Sequence, residues 1–383
     1  MNEKHKRQGH CPKWKESPYM QGREIVPVHW KKGSTIEDII SNLEATCFEA
    51  RNVAAGARLF EYMIKQGDTI WMGVAGAGPV GGMGGYIIDL IKAGFVDVLC
   101  STGAQVYHDG HFAFGLPVVQ GSPRVDDNAL DADGTTRIYD INIRMDETLK
   151  SQDDVFKEFA KTLSCEVRST ADYVHEWGEY IRRKAPHAEH SWVATAAEYG
   201  VPIFLDSESN HSIGMNNAAL FLEEGKDIAP NASRSLLEGA ALVYSSPQLG
   251  FFEWGGGGPK NWIQTLAPMI SQIIGVDFEG ADRGIQITTA FERDGGLSGC
   301  TFGEAVTWGK YKDATKGLVQ VWGEYSVIAP LLVGYVIEKC ETRAPKRLMD
   351  HKNEYMRRLY EAWDQQQAQE AWEQQQARKG LRE

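Results

Sequence analysis

Thr69-Ile-Trp-Met-Gly-Val-Ala75 is a short apolar run, and Gly76-Ala-Gly-Pro-Val-Gly81 follows it at once. Tyr86-Ile-Ile-Asp-Leu-Ile-Lys92 then reads as a helix and Phe95-Val-Asp-Val-Leu-Cys100 as a second buried strand. Strand, glycine loop, helix and strand in this order make a βαβ unit, whose crossover is right-handed in nearly all proteins. Outward from this unit the theme repeats, with apolar runs at Val201–Leu205, Ala240–Tyr244, Gly284–Thr288 and Leu318–Trp322 and helical stretches between them. The alternation predicts an α/β protein built on a doubly wound, mostly parallel sheet with flanking helices. Before it, the apolar residues from Ser34 to Lys65 recur at helical spacing, with Ser34 or Thr35 placed to cap the start, and predict one or two amphipathic helices.

Residues 1–32 are polar and without period, and read as an arm. Residues 33–341 carry the strands and helices of one large domain. From residue 342 apolar residues thin out, and a near-repeat appears, Glu361-Ala-Trp-Asp-Gln-Gln-Gln-Ala368 followed by Glu370-Ala-Trp-Glu-Gln-Gln-Gln-Ala377. That tail reads as a solvent-facing helical extension, with partner binding through Trp363 and Trp372 as the other reading.

A net charge of −12 excludes a general nucleic-acid binder, which needs an excess of Lys and Arg to displace counterions. Six cysteines lie scattered without a CxxC pair, which indicates neither a metal site nor a disulfide framework and suits reduced thiols in a cytoplasm. The first twenty residues lack the apolar core of a signal peptide, and no apolar run is long enough to span a bilayer.

Three stretches can carry chemistry. Gly76 to Gly81 is a literal GxGxxG opening a helix, the context in which bare backbone approaches a pyrophosphate. Against that, Pro79 removes a donor and Asp97 lies inside the second strand rather than at its end, so a tight strand-to-helix turn is the other reading. Gly255-Gly-Gly-Gly-Pro-Lys260 costs too much backbone entropy to be packing filler and reads as backbone approaching a ligand or another chain. The third runs from Thr288 to Lys310, with Asp294, Glu304, Trp308 and Lys310 around a glycine-rich stretch. Its carboxylates and indole face suit a cationic amine, although a lone lysine is more often a solvated surface residue.

Trp308-Gly-Lys310, with Glu304 and Asp294-Gly295 before it, resembles the active-site stretch of the deoxyhypusine synthase family. Cys47-Phe-Glu-Ala-Arg-Asn52, Val96-Asp-Val-Leu-Cys-Ser-Thr-Gly103, Gly255 to Gly257, Thr289-Ala290 and Pro330-Leu-Leu332 fall in the family's order, over roughly Gly33 to Lys339. The resemblance implies a Rossmann-like fold and an NAD-dependent transferase. In it a polyamine such as spermidine is oxidised to an imine, Lys310 takes over the aminobutyl unit, and an acceptor amine displaces it. Carried over position by position, Gly76, Ala77, Thr102, Gly103, Ala104, Asn210, Gly255, Gly256, Gly257, Thr289, Ala290, Asp294 and Ser298 would contact NAD. Glu304 and Trp308 would hold the amine, with His108 and Asn261 beside them, and the assembly would be a homotetramer. The chain departs from the family where acids are expected: Met215 and Leu297 stand in two such places, Tyr107 and His108 replace paired glutamates, Asn261 replaces a histidine, and Glu324 stands for an aspartate. These departures favour a small amine acceptor, as in homospermidine synthesis, over a lysine of a translation-factor precursor. An NAD-dependent amine oxidoreductase and a noncatalytic NAD-binding protein are the rival classes. His108 and His211 read equally as proton shuttles or as ordinary polar residues.

Overall fold

The computed structural model describes residues 17–166 and 168–380, so residues 1–16 of the polar arm and the side chain of Trp372 lie outside the described residues. Nine strands are described: β1 (Thr69–Val74), β2 (Val98–Ser101), β3 (Val118–Gln120), β4 (Thr135–Ile138), β5 (Ile141–Arg144), β6 (Ile203–Leu205), β7 (Leu249–Trp254), β8 (Arg283–Thr288) and β9 (Leu318–Trp322). Six form one sheet in the order β6-β2-β1-β7-β8-β9, and every pairing in it is parallel. The remaining three make a small antiparallel sheet, β3-β5-β4. The protein is α/β, as the alternation of apolar runs predicts.

Alternate side chains of the parallel strands enter different apolar clusters, as the two-residue period of a strand requires. Ile70, Met72, Val74, Phe252, Trp254, Ile285 and Ile287 belong to one cluster, whereas Trp71, Cys100, Phe204 and Phe251 belong to the other. Both faces of the sheet are therefore covered, which is why its strands read as unbroken apolar runs.

The amino-terminal stretch forms two helices, Ile36–Glu44 and Glu49–Gln66. Thr35 is the cap: its hydroxyl accepts from Asp38 N, and the Asp38 carboxylate accepts from Thr35 N, a reciprocal capping box. One expected strand is corrected. Ala240–Tyr244 is the last part of a helix, Ala232–Tyr244, capped by Asn231. The residues from Glu238 to Val243 are all buried, and an all-round apolar helix segment has the same apolar run as a buried strand. The strand at this place in the sheet is β7, which ends at Trp254.

Asp97 sits one residue before β2, not inside it. Its buried carboxylate accepts from Ile70 N at 2.9 Å and pairs with Lys346 Nζ at 3.2 Å and Arg343 at 3.5 Å. Arg343 also donates to Gly94 O, and Lys346 to Asp68 O and Thr69 Oγ1. Leu348, Met356 and Leu359 then bury themselves in the second cluster as the helix Lys352–Gly380 begins. Packing thus runs past residue 341, and beyond Leu359 the helix is mostly exposed, with Ala362 still against the second cluster. Among the described residues no helix is long and apolar enough to cross a membrane.

Candidate active site

The strand order reverses between β1 and β7, and open α/β sheets receive ligands at such a point, outside the carboxyl ends of their strands. Gly76 follows β1, Thr102 follows β2, Asp206 follows β6, Gly255 follows β7 and Thr289 follows β8. The candidate residues of the sequence reading therefore gather along one edge of the sheet. Thr102 caps the helix Gly103–Ala113, and a Cβ on Gly103 would overlap the His211 ring. Gly256 and Gly257 meet Ser298: Gly257 N donates to Ser298 Oγ at 2.9 Å, and a Cβ on Gly256 would come within 2.6 Å of it. Asp294 accepts from Gly296 N at 2.7 Å and shapes the loop that carries Ser298. Ala290 follows in the turn after β8, its N–H on Thr288 Oγ1. Asn210 lies in the exposed loop after β6, where its N–H meets Ser207 Oγ.

Trp308-Gly-Lys310 closes the helix Phe302–Thr307. Gly309 adopts the left-handed conformation at φ 72°, its N–H reaching Val306 O at 2.9 Å while Lys310 N reaches Ala305 O at 3.1 Å. These are the paired bonds of a Schellman motif, in which glycine follows the cap residue because a Cβ there would be strained. Gln272 satisfies the Trp308 carbonyl at 3.2 Å, and Lys310 O accepts from Ala281 N at 2.9 Å. The motif turns the chain back on itself and carries Lys310 inward. Its side chain, buried at 7% exposure, reaches a pocket of about 630 Å³ lined also by Asn261, Leu297, Cys300, Glu304 and Trp308.

Beneath that pocket lies a buried polar layer. Lys260 Nζ donates to Gln286 Oε1 at 2.9 Å and Cys300 O at 2.8 Å, and Gln286 Nε2 donates to the carbonyls of Gly255 and Ser298. One glutamine thus ties the glycine run to the Ser298 loop. Next to it Gln264 Nε2 donates to Glu253 Oε1 at 2.7 Å and to the Tyr311 hydroxyl at 3.0 Å. Burial pushes Lys310 below the usual lysine value, and the Lys260 charge acts the same way, while Cys300, Glu253 and Glu304 oppose it. Burial pushes Glu253 up to about 7, although Lys260, Gln264 and Lys310 favour its ionised form. A neutral amine at Lys310 is the form that attacks electrophilic carbon.

A second cavity, about 780 Å³, opens over Gly76, Ala77, Gly78 and Gly81 and is closed by Tyr139, Asp140, Glu324 and Tyr325. Gly76 takes φ 75°, and a Cβ on Gly78 would come within 2.6 Å of the Tyr325 ring. This bare backbone fits the phosphates of a dinucleotide. Tyr325 qualifies the fit: its hydroxyl accepts from Gly78 N at 2.8 Å, and its ring stacks on Trp254.

Comparison with known proteins gives the family. The family model described as deoxyhypusine synthase matches residues 38–336. The chain belongs to the deoxyhypusine synthase family. A deoxyhypusine synthase-like protein of Nostoc sp. is 34% identical over 347 residues, covering 88% of this chain and 90% of the relative. Another relative, from Methanosarcina mazei and named probable deoxyhypusine synthase 2, is 34% identical over 324 residues, covering 84% and 91%. A solved structure from Entamoeba histolytica, provisionally described as a deoxyhypusine synthase, shares the fold at a TM-score of 0.54 and 15% identity, over 82% of this chain and 96% of that one.

Within this family member the Lys310 pocket brings together Asn261, Glu304 and Trp308, and Leu297 lines it too. Met215 is exposed on the helix Ser212–Glu224. His108 is elsewhere, on the helix after β2, its ring 2.9 Å from that of His111 and not among the residues lining the pocket. Burial pushes His108 down to about 4 and His111 to about 3. His211 packs on Gly103 and accepts from Gly214 N. Sequence reasoning missed Glu253, Gln264, Tyr311 and Tyr325. The one signal was the acid inside Leu249-Gly-Phe-Phe-Glu-Trp254, a charge that a buried strand carries only with a partner or a function.

Proposed function

We propose that the chain is an NAD-dependent transferase that moves an aminoalkyl group, aminobutyl in the family's own reaction, from a polyamine or related amine to an acceptor amine through an imine on Lys310. The observation that carries the reading is Lys310 itself, turned inward by the Gly309 motif and pushed towards its neutral form by burial and Lys260. The neutral amine attacks the carbon of a substrate imine, and the proton shed by the lysine nitrogen leaves with the departing amine. The Trp308 face packs on the methylenes of the substrate, and Glu304 pairs with its ammonium.

NAD, when bound, takes up hydride from the amine-bearing carbon and later returns it. Gly76, Ala77, Thr102 to Ala104, Asn210, Gly255 to Gly257, Thr289, Ala290, Asp294 and Ser298 would hold it, in a doubly wound, Rossmann-like arrangement. Among the described residues lining the Lys310 pocket Glu304 is the one carboxylate, and Leu297 stands where the family places an acid. A pocket with so little negative charge favours a small acceptor amine, as in homospermidine synthesis. A cytoplasmic homotetramer is the assembly proposed with this reading.

The test is chemical. The protein is incubated with NAD and candidate amines, reduced with borohydride and digested, and the peptide bearing Lys310 is weighed. An aminoalkyl increment on Lys310, absent in Lys310→Ala, is the expected result. Free NADH accumulating without an adduct would indicate an amine oxidoreductase instead, and neither product would indicate a binding protein.

A further inference from the structure

We propose that Glu253 is a positioning residue for Lys310, its buried carboxyl gaining a proton as the lysine loses one. In balance, Lys310–NH3⁺ and Glu253–COO⁻ become Lys310–NH2 and Glu253–COOH. The inference rests on the reading of Lys310 as the imine-forming lysine.

Glu253 stands in β7 between Gly73 on β1 and Gln286 on β8, with 1% of its surface exposed. Its Oε1 accepts from Gln264, but Oε2 has no partner among the described residues, and neither has Gln264 Oε1. A buried carboxylate oxygen without a donor is costly. A proton on Oε2 turns an excess acceptor into a donor, in a layer where two oxygens lack one. Lys260 Nζ directs its hydrogen bonds to Gln286 and to Cys300 O.

The groups facing this carboxyl come from each element packed on it. Lys260 and Gln264 lie on the helix Gly257–Pro268, and Lys310 and Tyr311 follow the helix Phe302–Thr307. Cys300 and Glu304 act on the Lys310 end. An ammonium at Lys310 calls for an ionised Glu253, and a neutral Lys310 leaves Glu253 free to be neutral. Burial pushes the carboxyl up to about 7, so its own loss of a proton falls near neutral pH. Two groups coupled in this way titrate in steps that belong to the pair.

Reductive alkylation with propanal and cyanoborohydride tests this without cofactor or amine substrate. The aldehyde condenses with neutral lysine, water leaves, and hydride from the reductant makes a stable propylamine. Labelling of Lys310 is followed by peptide mass from pH 5.5 to 10, relative to exposed Lys184. The expected wild-type profile is broad and two-stepped. In Glu253→Gln the ionised carboxylate that holds the proton on Lys310 is gone. Its profile is expected to sharpen to one step and move to lower pH, raising labelling at pH 7 roughly threefold, the effect of about half a pH unit.

Gln264→Met removes the donor that favours the ionised carboxylate and is expected to shift the profile the same way; it also serves if Glu253→Gln does not fold. Glu253→Asp is expected to restore the two steps. A labelled Lys310 whose midpoint and shape are unchanged in the folded variants overturns the role of Glu253 alone. A wild-type Lys310 that is never labelled overturns the reading of Lys310 and this inference with it.

Discussion

Gly309 is the residue on which the site's geometry turns. Its left-handed φ is cheap only for glycine, so Gly309→Ala is expected to cost about 1 kcal/mol or more and to displace Lys310 from its pocket. Adduct formation on Lys310 should fall at least tenfold while the melting temperature drops by only a few degrees; an unchanged adduct yield would refute the positioning role. The buried pair His108 and His111 sets a different dependence. Both are held below the ordinary histidine value by burial, so below about pH 6.5 the unfolded chain takes up protons that the folded chain refuses. Stability from these neutral rings is present above pH 6.5 and lost as pH falls towards 4, roughly 3 kcal/mol for His108 alone. Urea midpoints at pH 7.5 and 5.0 test this, and His111→Gln should narrow the gap between them. Neither residue announces its role in the sequence. The WGK triplet does so only through its resemblance, because a lysine in a polar stretch has no local mark of burial.

Elements were legible where they obey one period. The strand Leu318–Trp322 and the helix opened by Thr35 lie where the apolar spacing puts them. Ala240–Tyr244 failed because a helix buried all round loses the contrast between its faces, and β7 was hidden beside it by Glu253. The helix Lys352–Gly380 shows the complementary problem. Its composition changes at residue 342, but Leu348, Met356 and Leu359 are buried, and Lys352 pairs with Glu238 at 3.2 Å and with Asp172. Truncation after residue 341 should therefore destabilise the fold by about 3–5 kcal/mol or more, because buried Asp97 loses both of its cations. Truncation after residue 365 should leave the urea midpoint nearly unchanged, as substitutions on a solvated surface do. Equal midpoints for the two truncations would contradict this.

At the scale of the molecule, the βαβ unit at Thr69 gave the class and the sheet's polarity, and the glycine runs marked its carboxyl edge. The polar layer that ties the Gly255 run to the Ser298 loop could not be read, since it is assembled from β7, β8 and the helix Gly257–Pro268 by contacts distant in sequence. The same holds for Lys346 and Arg343. They fasten the starts of β1 and β2, the first strands of the sheet to be synthesised, yet they come after its last strand, β9, in the sequence. A ribosome that has already released the whole GxGxxG unit has not yet released its clasp. Until residues 343–346 are made, Asp97 at the start of β2 lacks both of its cations, so the first two strands are expected to close stably only after that stretch emerges.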